Sequence, residues 1–342
     1  MKKYLIPENG QFFKANLHCH STVSDGKLTP EELKKIYMEK GYSIIAYTDH
    51  DVLIPHPELA DENFLPLNAF EIEINEETGE PFSQIKTCHI CMIALEPDNI
   101  TQPCWHRNKY QFGNAENYRD QVKFDENEPD YERVYTPECI CDIMQRGRGA
   151  GFFVTYNHPA WSLEEYPQYM NYHGMHAMEI SNTGCVVGGW EDYCPHIYDD
   201  MLRGGEKIFC VSTDDNHNGD DPNTGNWDSF GGWVMIKAEK LDYRTITKAL
   251  EDGHFYASQG PAIHSVWFED GEIHVECDPV ENIKFYYGNR AGKGVFADGK
   301  TLTHASAKVS PENRYVRITV TDSKGRPANT SAYWAADLLK ED

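Results

Sequence analysis

An apolar run that ends in histidine or aspartate recurs along the first 260 residues, and amphipathic helices stand between the runs. FFKANLHCH ends in His18 and His20, SIIAYTDHD in Asp49, His50 and Asp51, FFVTYNHP at His158, and IFCVSTDDNH in Asp214, Asp215 and His217. LNAFEIEI carries Glu71 and Glu73, and TCHICMIAL carries His89. Strands that are apolar throughout must be covered on both faces, which predicts a parallel sheet clothed by helices, open or closed into a barrel. The helices are marked at their ends. In KLTPEELKKIYMEKG, Thr29 can cap, Pro30 suits the first turn, Glu32 completes a capping box and Gly41 stops the helix, with Leu33, Ile36 and Tyr37 on one face. TPECICDIMQRG repeats the pattern through Ile140, Ile143 and Met144 with Gly147 as the stop, and DYRTITKALEDG does so through Ile246, Ala249 and Leu250. HAMEISN reads as a further strand. Residues 96–135 are polar and rich in Asn, Asp and Glu, which reads as a long loop insertion.

The texture changes after GPAI. HSVWFED, EIHVECD, NIKFYYGN, YVRITVTD and TSAYWAAD are short alternating runs separated by Gly, Asn and Asp, with no good helix between them. They predict a small antiparallel β domain of sandwich type. A chain of 342 residues accommodates two domains. We therefore divide it into an α/β unit over 1–261 and an all-β unit over 262–342. Of the aromatics in the second unit, Trp267, Phe285, Tyr286, Tyr287 and Trp334 are assigned to its core.

In a parallel α/β array the C-terminal ends of the strands share one face, so residues distant in sequence converge there. The two side chains of an H-x-H pair on a strand point the same way, and so do those of the D-x-H pair Asp215 and His217. Imidazole and carboxylate together suit zinc, manganese or iron. Some nine such groups at strand ends exceed the four that a single tetrahedral ion takes, which implies two or three divalent metals. The remaining histidines, such as His56, His106 and His274, lack that context and are assigned structural or solvated roles. The ten cysteines, including Cys88 and Cys91 in a C-x-x-C, read as free thiols buried as small hydrophobes.

LHCHSTVSDG, TDHD, NHP and the late D-x-H, in that order, resemble the motifs of the PHP family, the polymerase and histidinol phosphatase superfamily of metal-dependent phosphoesterases. The resemblance spans roughly residues 13–260, and GHFYASQGP resembles the end of that domain in two-domain members. It implies a distorted (β/α)7 TIM-like barrel followed by the β domain, and a trinuclear site. By motif, His18, His20, Glu71 and Asp215 would hold one metal, Glu71 with His89 and His158 a second, and Asp25, His50 and His217 a third. His18, His20, Glu71, His158 and Asp215 would be the catalytic core of the set. Asp49 and Asp214 would orient ligand imidazoles.

The activity this implies is hydrolysis of a small phosphate ester of the nucleotide or sugar phosphate class by a metal-bridging hydroxide. The alternatives are a metal-dependent carbamate, amide or carboxylic ester hydrolase, and a non-enzymatic metal- or ligand-binding protein. Net charge is −24, with 31 basic against 55 acidic residues, which opposes binding of a nucleic-acid polymer. A small anionic substrate remains compatible where metal supplies local positive charge. Arg146, Arg148 and Arg203 are the candidate phosphate contacts, with solvated helix ends as their ordinary use. Trp161, Trp105 and Tyr110 lie in loops near the strand ends, where they could stack on a ring or simply anchor the loop. The N-terminal MKKYLIPENG has an apolar segment too short for a signal peptide and no run matches a membrane helix, so a cytoplasmic protein, with a homo-oligomer possible in principle, is expected.

Overall fold

The computed structural model describes residues 2–340. In chain order its elements are β1 (Lys3–Tyr4), β2 (Gln11–Cys19), α1 (Pro30–Glu39), β3 (Ile44–Tyr47), β4 (Leu65–Asn75), β5 (Thr87–Ala94), α2 (Pro137–Gly149), β6 (Phe152–Asn157), α3 (Tyr166–Tyr169), β7 (Ala177–Asn182), α4 (Thr183–Val187), α5 (Pro195–Gly204), β8 (Phe209–Thr213), β9 (Trp233–Ala238), α6 (Tyr243–Glu251) and β10 (Phe255–Ser258). There follow β11 (Ile263–Glu269), β12 (Glu272–Val280), β13 (Asn282–Tyr286), β14 (Gly292–Phe296), β15 (Leu302–Lys308), β16 (Tyr315–Thr321), β17 (Pro327–Thr330), β18 (Tyr333–Trp334) and α7 (Ala335–Leu338). Residues 96–135 carry one 3₁₀ helix, Gly113–Gln121. Among the described residues no helix is long and apolar enough to cross a membrane.

Helix α1 begins as its sequence dictates. The Thr29 side chain accepts from Glu32 N–H and Glu32 reaches back to the Thr29 N–H, while Leu33 and Tyr37 face inward. Helix α2 runs two residues past the expected stop. Gly147 lies inside it, where a Cβ would sit 2.8 Å from the Met92 side chain. The glycine there lets helix and strand approach closely and does not end the helix.

The large sheet has the order β14-β13-β16-β17-β10-β9-β2-β3-β4-β5-β6-β7-β8, with β18 paired to β16. Strands β2, β3 and β4 are parallel, as are β6, β7 and β8. Between these triplets β5 is antiparallel to both neighbours, and β9 is antiparallel to β2. The sheet is thus mixed and not purely parallel as expected. The link from Asn75 to Thr87 is too short for the crossover that a parallel neighbour needs, so β4 and β5 fold back as a hairpin.

The expected closed TIM-like barrel is not present. Strand β8 curls back toward β2, with Asp215 N–H donating to His18 O at 2.9 Å and His20 N–H to Asn216 O at 3.2 Å, but among the described residues the pairing amounts to an isolated bridge, Cys19 to Asn216, and not a ladder. A ladder fails to form because the chain leaves strand geometry here. Asp215 has φ +50°, in the left-handed region.

Beyond residue 262 a second sheet has the order β1-β11-β12-β15. Its inner face meets β13 and β16 of the large sheet across an apolar core that includes Ile273, Val275, Phe285, Val316 and Ile318. Strand β1 at the start of the chain pairs with β11, and β17 pairs with β10, so the main-chain ladders run between the two expected units. TSAYWAAD is mostly not a strand, since α7 begins at Ala335.

Candidate metal centre

The strand ends deliver their polar side chains to one buried place. His18 and His20 leave β2 on the same side, with His18 Nε2 and His20 Nε2 3.1 Å apart. Asp215 Oδ1 lies 3.1 Å from His18 Nε2 and 3.0 Å from His20 Nε2. Glu71 from β4 completes the group, at 3.2 Å from His18 Nε2 and 3.3 Å from His20 Nε2. Ligand atoms about 2.0–2.1 Å from a single ion stand about 3.3 Å apart, which is close to this spacing.

Glu71 also faces the next groups. Its carboxylate lies 3.1 Å from His89 Nδ1, 3.3 Å from His50 Nδ1 and 3.5 Å from His158 Nε2. Asp25 and His217 stand on the far side of His20 and His50. His217 Nε2 is 3.4 Å from Asp25 Oδ2, and the His20 ring stacks between those of His50 and His217, with centroids 4.4 Å from each. All nine residues singled out by sequence therefore lie in one cluster. Four sets of donor atoms in it are close enough to share an ion: His20, Asp25, His50 and His217; His18, His158 and Asp215; His50, Glu71 and His89; and His18, Glu71 and Cys91.

Geometry separates Asp215 and Glu71 from the neighbouring acids. Asp215 faces the cluster, whereas Asp214 turns away to accept from the N–H groups of Phe230, Gly231 and Gly232 and from Tyr37 Oη. Glu71 lies at the centre, and Glu73 touches only its edge, 3.3 Å from His89 Nε2.

The expectation that Asp49 and Asp214 orient imidazoles does not hold. Asp49 instead accepts from the N–H and the hydroxyl of both Ser21 and Ser24, at 2.8 to 3.0 Å, and so pins the turn that follows the H-x-H. The imidazole partner is Glu179, in the middle of β7. Its Oε1 meets His18 Nδ1 at 2.7 Å and accepts from Thr213 Oγ1, and its Oε2 accepts from His158 N–H and Asn182 Nδ2. Cys91 was also missed. It sits opposite Glu71 in the β4–β5 ladder, and burial pushes its thiol up to about 12 despite His18 nearby. The E in HAMEISN is the sequence signal for Glu179, an acid inside an otherwise apolar strand.

Carboxylates and imidazoles crowd together in the cluster. Burial opposes protonation of His18, yet Asp215, Cys91, Glu71 and Glu179 together raise its pKa well above the ordinary histidine value. Burial likewise opposes it in His20 and His89, and the surrounding carboxylates raise both to about 10. His50, where burial and the neighbouring His20 prevail, falls to about 4. Buried lone pairs also go unused: His20 Nδ1, His50 Nδ1, Glu71 Oε2, His89 Nε2 and His158 Nε2 make no hydrogen bond. Unpaired buried polar atoms are costly. Divalent cations would answer both the charge and the lone pairs, so the donor set fits such ions.

The cluster forms the floor of a cavity of about 830 Å³. Trp161 lines it and meets the His89 and His158 rings edge-on, at 5.4 and 5.1 Å between centroids. Trp105 and Tyr110 do not reach it. Trp105 stacks on Phe124, and Tyr110 lies under Arg133 and accepts from its backbone N–H. The three candidate arginines are also elsewhere. Arg146 pairs with Asp142, Arg203 with Asp200, and Arg148 donates to the carbonyls of Gly174 and Met175.

No family model matches the chain. A 40-residue stretch, 12% of this chain, is 48% identical to a 5'-3' exoribonuclease of Haemophilus influenzae, of whose length it spans 15%. Among solved structures, the chain is similar to a two-domain protein containing a predicted PHP-like metal-dependent phosphoesterase from Bacteroides vulgatus, at 15% identity and a TM-score of 0.44 over 95% of this chain and 98% of that one. It is similar also to a candidate metal-dependent phosphoesterase from Bifidobacterium adolescentis, at 16% identity and a TM-score of 0.38, over 65% of this chain and 93% of that one. An amidohydrolase from Chromobacterium violaceum matches at 16% identity and a TM-score of 0.39, over 59% of this chain and 87% of that one.

Proposed function

We propose that this chain is a metal-dependent hydrolase of the PHP type that cleaves a small phosphate ester of the nucleotide or sugar phosphate class. The observation that carries the reading is the convergence of Glu71 and eight further histidine and aspartate donors in one cluster, with buried lone pairs left unpaired. His18, His20, Glu71, His158 and Asp215 would hold the reacting end of the site, and Asp25, His50, His89 and His217 would complete a set for two or three divalent ions. Such ions supply a nucleophile at neutral pH and neutralise phosphoryl oxygens. The protein's part is to fix geometry. Glu179 sets the tautomer and orientation of the His18 ring, and Asp49 fixes the turn that carries Asp25. The Trp161 indole shields the His89 and His158 side from solvent.

Phosphate release from a panel of nucleotides and sugar phosphates, with manganese-reconstituted protein and with added chelator, tests this. The expected result is release that the chelator abolishes. A second reading, hydrolysis of a carbamate, amide or carboxylic ester, is favoured by one feature: none of the residues that line the cavity is a lysine or arginine. Absence of phosphate release from protein that holds two or three metals would move the assignment there. On either reading the substrate is a small molecule, the chain acts in the cytoplasm, and residues 262–342 form a sandwich-like β region joined to the rest through the β1–β11 and β10–β17 pairings.

A further inference from the structure

The walls of the cavity differ in kind from its floor. Above the donor cluster, Phe112 packs on the His50 ring at 4.9 Å and Trp161 packs on His89 and His158, so an aromatic side chain flanks the cluster on each side. Phe82 extends the Trp161 wall, with centroids 6.1 Å apart, and is 50% exposed. Val187 and Trp190 line the cavity from α4 and the segment after it, and Trp190 is 41% exposed. Large aromatic side chains left open to solvent around a cavity of this size are a surface that a ligand can cover.

The charges in the walls all have one sign. Glu73, Asp220 and Asp228 line the cavity outside the proposed ligand set, and no lysine or arginine does. Two cations near the cavity have partners of their own. Lys27 donates to the Asp25 carbonyl, and the Arg133 guanidinium is 2.6 Å from Asp51. An anionic group on the body of a substrate would therefore meet aromatic carbon and carboxylates, with no partner for its charge.

We propose that the ester cleaved at this site has an aromatic body that bears no second anionic group. Its one reacting group meets the metal-binding floor, and the ring lies between the Phe112 and Trp161 walls. The proposal rests on the hydrolase reading for the word "cleaved" but not for the binding preference. It places aromatic monoesters above sugar phosphates and above bisphosphates.

The test uses full-length metal-reconstituted protein and three esters with aliphatic leaving alcohols: benzyl phosphate, glycerol 3-phosphate and fructose 1,6-bisphosphate. Burying one ring should favour benzyl phosphate in kcat/KM by about tenfold or more over each of the others. Equal rates, or a preference for the bisphosphate, would overturn the proposal and leave the phosphoesterase reading standing. If no ester is hydrolysed, that reading fails and binding decides. Benzylphosphonate and methylphosphonate are then titrated against tryptophan fluorescence, with tenfold tighter benzylphosphonate expected and equal affinity contrary. The Trp190→Arg variant adds a cation to the wall and should shift the kcat/KM ratio toward the bisphosphate. An unchanged ratio in a folded variant would count against the charge argument.

Discussion

Histidines gather at two places in this chain, and the two gatherings differ in what surrounds them. At the strand ends of the large sheet, His18, His20, His50, His89 and His158 are buried and share Glu71. On the outer face of the second sheet, half-buried His274 and exposed His304 stack on Trp267 and meet each other at 3.4 Å. Among the described residues neither has a carboxylate within ion-pair distance. Both pairs of neighbours arise from strand pairing, since β12 and β15 lie side by side and β2 alternates its side chains. Proximity of imidazoles is thus common to both. Burial, carboxylates at about 3 Å and unused lone pairs belong to the first alone.

The seam between the regions is the first place to break the comparison. Arg317 of β16 is buried and grips Asp199 of α5 in a bidentate pair, at 2.8 and 2.5 Å. The Asp199→Ala variant strands that cation, and chemical denaturation should show a loss of about 3–5 kcal/mol. A loss under 1 kcal/mol would mean that the pair does not tie the regions together.

His18→Ala tests the buried gathering itself. Metal content and turnover should fall by more than about 100-fold, beyond what an outer partner costs. Retained turnover in a folded His18→Ala protein would remove His18 from the site. Glu179→Gln keeps the shape and withdraws the charge behind His18, and metal affinity should drop about 10- to 100-fold with the fold intact by circular dichroism. An unchanged affinity would make Glu179 a packing residue. The smallest effect belongs to the outer pair. His274→Ala should change stability by no more than about 0.5 kcal/mol and leave metal content alone. Loss of bound metal in that variant would erase the contrast between the two gatherings.

The clustering of His18, His20, His50, His158 and Asp215 was legible because the C-terminal ends of parallel strands face one way, whereas His89 arrives from the start of β5, which is antiparallel, and Glu71 from the middle of β4. The helix cap at Thr29 was legible for a local reason, one side chain and one turn. What stayed hidden depends on neighbours in space. Glu179 matters because β7 lies beside β8 and sends one acid back toward His18, which a single strand does not reveal. Asp49 and Asp214 sit next to their named partners in sequence but face serine and glycine donors, since the backbone turns left-handed at Asp51 and Asp215. The β4–β5 hairpin had a readable signal in the eleven-residue, Gly- and Pro-containing link 76–86, which is short for a crossover. The sandwich strands β14 and β15 carry too little apolar alternation in GKGVF and LTHASAK to stand out.

The count of divalent ions per folded chain, read by plasma mass spectrometry after reconstitution and desalting, tests the central claim most directly. Two or three ions per chain, reduced in a folded Glu71→Ala variant, is the result expected of a cluster built around that carboxylate. Fewer than one ion per chain, or an undiminished count without Glu71, would contradict it.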